Sequence, residues 1–140
     1  LEQWEREGAI RWLRREPPSI TQAMNAGLVA ARGPLVLFLD DDIVPCDGLV
    51  AAHAAAHAEF PEAWGVVGQV LQPGEEPGPA PQRANGTAQA GRQGFRADLE
   101  FPFWSDRGAW VANVMAGNLS VNRERALAIG GFDENFTGVA

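Results

Sequence analysis

The sequence predicts an α/β domain built on a mixed, mainly parallel sheet flanked by helices. Three observations carry that expectation. Leu35-Val36-Leu37-Phe38-Leu39 is an unbroken apolar run, the pattern of a strand covered on both faces. Segments of strand and helix character alternate along the chain, as they do where helices cover a parallel sheet. At 140 residues, 46% hydrophobic and 21% charged, the chain has the size and apolar content of one globular domain, residues 1–140.

Taken in order, residues 1–7 read as helix, and Ala9-Ile10-Arg11-Trp12-Leu13 has the length and residue types of a short strand, ended by Pro17-Pro18. Ser19-Ile20-Thr21-Gln22 fits a capping box: the serine hydroxyl can accept an amide at the helix start, and Gln22 can reach back. Ile20, Met24, Leu28 and Ala31 then recur at helical spacing, and Gly33-Pro34 stops the helix. The apolar strand 35–39 follows. Residues 47–60 are alanine-rich and helical in character, and residues 65–71 read as another strand. Residues 72–91 carry four prolines in PGEEPGPAPQRANG and are expected to form a long mobile loop within the domain. Extended structure is expected within 109–121, then a short helix over 122–129 closed by Gly130-Gly131.

Composition excludes several classes. A formal charge of −7 and a pI near 4.7 speak against a nucleic-acid partner, which needs a basic face, and against an anionic membrane surface. Cys46 stands alone and makes no internal disulfide, as suits the cytosol. The longest apolar run falls far short of the ~20 residues that cross a bilayer. The expected location is cytoplasmic, in solution or at the inner face of the membrane. All eleven basic residues are arginine. Without lysine, the phosphate-cradling GxxxxGK[ST] loop and the lysine of receiver domains both lack their key residue.

The apolar strand runs directly into Asp40-Asp41-Asp42. In an open α/β sheet, side chains at the carboxyl end of a strand face the crevice where ligands bind. Three adjacent carboxylates repel one another, and a cation is the simplest compensation. Hard oxygen ligands select Mg²⁺ or Mn²⁺. The plain structural alternative is that Asp40 caps a turn while Asp41 and Asp42 are solvated.

The stretch AMNAGLVAARGPLVLFLDDDIVP, followed by GNLSVNRERALAIGGFDENFTG, resembles the family 2 glycosyltransferases of the Rossmann-like GT-A fold. The matching features are Asn25-Ala26-Gly27, Ala31-Arg32-Gly33, the DxD motif Asp40-Asp41-Asp42, Asn118, and Gly130-Gly131-Phe132-Asp133-Glu134. Met24 stands where family members commonly carry arginine. The resemblance implies metal-dependent transfer of a sugar from a nucleotide-diphosphate-sugar donor to the hydroxyl of a saccharide or lipid-linked acceptor, with inversion. Asp42, with Asp40, would coordinate Mn²⁺ or Mg²⁺, and Asp40 would face the ribose. Asn25, Asp41 and Asn118 would also contact the donor. Asp133 and Glu134 are the weaker catalytic candidates, because the family places its base after this motif. The chain is therefore expected to be an internal fragment, with the first strand before Leu1 and the base beyond Ala140, and not to transfer sugar by itself. The other readings are a P-loop-type nucleotide hydrolase fragment and a non-catalytic module that binds a divalent cation or nucleotide.

His53 and His57 share the four-residue spacing that metal sites use, yet no third ligand accompanies them. Phe101, Phe103, Trp104 and Trp110 suit either core packing or a sugar-binding groove.

Overall fold

The computed structural model describes residues 1–76, 108, 110, 111 and 114–135. The chain divides into two compact units, Leu1–Val36 with Val121–Ala140, and Leu37–Ser120. Strands β1 (Leu35–Leu39) and β3 (Asn118–Asn122) each begin in one unit and end in the other, and with β2 (Gly65–Val67) they form a three-stranded sheet of order β1-β3-β2.

In the first unit, α1 (Glu2–Arg6) is followed by irregular chain rather than the expected strand at 9–13. The reason lies in where the backbone donors go. The amides of Ala9 and Ile10 turn back to the Trp4 carbonyl, and that of Trp12 bonds the Glu5 carboxylate, so these three do not serve a neighbouring strand. Helix α2 (Ile20–Ala30) starts as expected: Ser19 is its N-cap, and its hydroxyl accepts the Gln22 amide at 3.4 Å. Ala26 and Leu28 are the buried residues of α2. Its last carbonyls are met by arginine: Arg123 donates to Leu28 O at 3.0 Å and Val29 O at 3.1 Å, and Arg11 donates to Ala30 O. These cations sit where the helix dipole and its unpaired carbonyls favour them. Arg123 opens α4 (Arg123–Ala128), which packs on α2 and is capped by the Asn122 side chain. Gly130 and Gly131, both at positive φ, then turn the chain.

In the second unit, α3 (Leu49–Glu59) packs on β2. This alanine-rich helix has a single buried residue, and it is His53, 5% exposed. Ala63, Asn118, Leu119 and Ser120 are also buried in this unit. Phe60, next after α3, meets Trp110 edge to face with ring centroids 5.8 Å apart.

The expected mainly parallel sheet is corrected by the described strands, which form a small antiparallel sheet. At one end of the β1–β3 ladder the Asp40 amide bonds Gly117 O, and at the other the Arg123 amide bonds Pro34 O, so residue numbers rise in opposite directions. No residue of β1 is fully buried and Leu39 is exposed, so the two covered faces expected of the apolar run are not found, and such a run carries no information on the direction of the neighbouring strand. Strand β2 also stops short of the expected residue 71. The Gly68 amide still reaches Asn118 O, but Gln69 O is taken by the Asn118 side chain. Residues 77–91 of the expected loop, and Phe101, Phe103 and Trp104, lie outside the described residues.

Candidate functional site

The sequence-derived site residues fall into two groups, one in each unit. Asp40, Asp41 and Asp42 follow β1 in the second unit, and all three are exposed. Asp40 is fixed by its backbone: its amide donates to Gly117 O at 3.1 Å, and its own carbonyl accepts the Ile43 amide at 3.4 Å. Its carboxylate lies against Gly117, where an added Cβ would stand 2.5 Å from Oδ2. A side chain at 117 would therefore displace the carboxylate. Among the described residues, no three His, Cys, Asp or Glu side chains gather around one point. An exposed pair of carboxylates is nonetheless the donor set that Mg²⁺ and Mn²⁺ use when water and phosphate oxygens complete the shell.

Asn118 follows Gly117, and its side chain is 4% exposed. Its Nδ2 donates to Gln69 O at 3.1 Å, and its Oδ1 meets His53 Nε2 at 2.8 Å. His53 Nδ1 meets Ser120 Oγ at 2.7 Å, and His57 Nε2 reaches the same oxygen at 2.9 Å. The two histidines singled out by spacing thus converge on a serine. Ser120 shares the Asn118 face of β3, because residues two apart in a strand point the same way. Alternation along NLSVN is the signal that could have found it.

In the first unit, Asn25 of α2 is joined to the glycine turn. Its Nδ2 donates to Phe132 O at 2.9 Å and to Glu134 Oε1 at 2.8 Å, while its Oδ1 accepts the Phe132 amide at 2.8 Å. Gly131 has no side chain to collide with that oxygen. Asp133 Oδ1 accepts both the amide and the side-chain Nδ2 of Asn135, closing an Asx turn. Asn25 and Glu134 border a groove of about 680 Å³, with Trp12, Arg14, Arg15 and Gln22 along its wall. The Arg14 guanidinium lies 4.1 Å from the Trp12 ring centroid. The amino-acid order gives no site signal for these four residues: Trp12 lies in the segment with strand character and Gln22 in the capping box.

No helix among the described residues is long and apolar enough to cross a membrane. The family model described as Glycosyl transferase family 2 matches residues 2–123, a span that includes Asn25, the three aspartates and Asn118 and ends before the glycine turn. No curated protein and no solved structure matches the chain. The family match extends over most of the sequence, and with the aspartates at the end of β1 it means that this chain belongs to glycosyl transferase family 2.

Proposed function

We propose that this family member binds a nucleotide-diphosphate-sugar through a divalent cation held by Asp42 and Asp40, and serves its transfer, with inversion, to an acceptor hydroxyl on a saccharide or lipid-linked carrier. The observation that carries this reading is the set of three exposed carboxylates at the end of β1, the first of them held by Gly117. Mn²⁺ or Mg²⁺ there would neutralise the charge that gathers on the leaving diphosphate. Asp40, restrained by its two backbone bonds, would orient the ribose side of the donor, with Asp41 beside it. Asn25 engages the Phe132 backbone and the Glu134 carboxylate, and so holds the 130–134 turn at the edge of the groove. Both weaker catalytic candidates are engaged in this turn, Glu134 by Asn25 and Asp133 by Asn135. The family resemblance assigns the main proton acceptor to a later carboxylate. Neither the nucleotide-hydrolase reading nor the non-catalytic module draws support from the comparisons.

The test is calorimetric titration of the chain with UDP and GDP in the presence of Mn²⁺. Binding should need the cation, and Asp42→Asn should weaken it by about tenfold or more, the scale of one lost interaction with a charged group. Equal binding in chelator would refute the reading.

A further inference from the structure

His53 and Ser120 are given no part in the donor chemistry above, yet with Asn118 they form a buried cluster one residue from the floor under Asp40. We propose that His53 is a positioning residue for Asp40, acting through Asn118 and Gly117. The inference rests on the reading of Asp40 as a ligand of the cation and the donor.

A buried polar side chain is retained only where hydrogen bonds repay its desolvation. His53 is the buried residue of an alanine helix, and it makes two such bonds, at 2.7 and 2.8 Å. Their directions follow from the network. The Asn118 Nδ2 donates to Gln69 O, which leaves Oδ1 as the acceptor facing His53. His53 Nε2 therefore carries a proton, and in the neutral ring Nδ1 accepts from the Ser120 hydroxyl. Ser120 Oγ in turn accepts from His57 Nε2. The imidazole is oriented by the serine, and the asparagine by the imidazole. This is the way outer residues commonly orient the groups that hold a ligand.

The asparagine has little freedom left. Gly68 lies directly against its amide, where a Cβ would clash, and the Gly68 backbone bonds its carbonyl at 2.8 Å. Asn118 in that place sets the preceding peptide, and the Gly117 carbonyl accepts the Asp40 amide while the bare Cα makes room for the Asp40 carboxylate. Loss of the His53–Asn118 bond frees this peptide and loosens Asp40.

Three substitutions separate positioning from packing. His53→Leu fills the space and abolishes both bonds. His53→Gln can still donate to Asn118 from a nitrogen near the Nε2 position, whereas His53→Asn reaches only toward Ser120. In the metal-free chain, hydrogen exchange at the Asp40 amide should accelerate about tenfold in His53→Leu and His53→Asn, and stay within about twofold of the parent in His53→Gln. Leu28→Ala, in the other unit, supplies a control of comparable or greater instability. Nitrogen shifts of the parent His53 ring should report Nε2–H with bare Nδ1. Mn²⁺ affinity should fall in His53→Leu and His53→Asn, whose exchange accelerates, and hold in His53→Gln. An Asp40 amide that exchanges no faster in His53→Leu than in Leu28→Ala overturns the proposal, as does the reverse tautomer or a His53→Gln that behaves like His53→Leu. If the parent takes up no Mn²⁺ while the Asp40 exchange pattern holds, the positioning role stands and the cation reading falls.

Discussion

At the scale of single residues, Asn25 does the work of an extra piece of backbone. Its amide pairs with both the N–H and the C=O of Phe132, and its second Nδ2 hydrogen reaches Glu134. Asn25→Ala should cost about 1–3 kcal/mol in urea denaturation, because it removes two part-buried hydrogen bonds to the Phe132 backbone and one to Glu134. Asn25→Asp should do no better: it cannot donate to Phe132 O, and it sets a second carboxylate beside Glu134. If Asn25→Asp matched the parent in stability, the amide pairing would be wrong. Gly131 is needed for the same contact, as it stands at φ +79° with no room for a Cβ beside Asn25 Oδ1. Gly131→Ala should cost at least the ~1–2 kcal/mol of left-handed backbone.

At the scale of elements, α2 is held differently at its two ends. The N-terminus relies on the Ser19 hydroxyl, and Ser19→Ala should cost about 1 kcal/mol, as other N-cap losses do. The C-terminus relies on Arg123, whose guanidinium spans two carbonyls while its own amide bonds Pro34 O at 2.9 Å. Arg123→Met keeps the backbone bond and much of the stem, and removes only the charge-assisted pair. Its loss should exceed that of Ser19→Ala, on the order of 1.5–3 kcal/mol, since bonds to charged groups are the stronger ones. Urea midpoints for both variants decide the ranking. Helix α3 contrasts with α2, since it docks through a histidine and places most of its alanines toward solvent.

At the scale of the whole molecule, eighteen acidic residues face eleven arginines. Net charge of one sign destabilises a compact state through self-repulsion, and salt screens that repulsion. The melting temperature should therefore rise with NaCl. Millimolar Mg²⁺ or Mn²⁺ should raise it further than NaCl of equal ionic strength, because an ion that binds the folded state adds stability by mass action. Asp42→Asn should remove the divalent increment and keep the NaCl effect. An increment unchanged by Asp42→Asn would place the cation elsewhere.

Elements whose signals are local are legible in the amino-acid order. The Ser19 cap, the helix after it, the apolar strand 35–39, the alanine helix and the short helix before Gly130-Gly131 all stand where short-range chemistry places them. The amino-acid order also carries the family, since Asn25 and the three aspartates lie within the matched span. Features that depend on partners distant in the chain emerge only on folding. The direction of β3 against β1 follows from which amides meet, and an apolar run is silent on that. Residues 9–13 have strand-forming side chains, but the amides of Ala9, Ile10 and Trp12 bond back to α1 where a strand would need them. The Asn118 side chain is buried between His53 and Gln69, which lie 65 and 49 residues away along the chain. A hydrogen bond across that distance leaves no periodicity to read, and folding alone brings its two ends together.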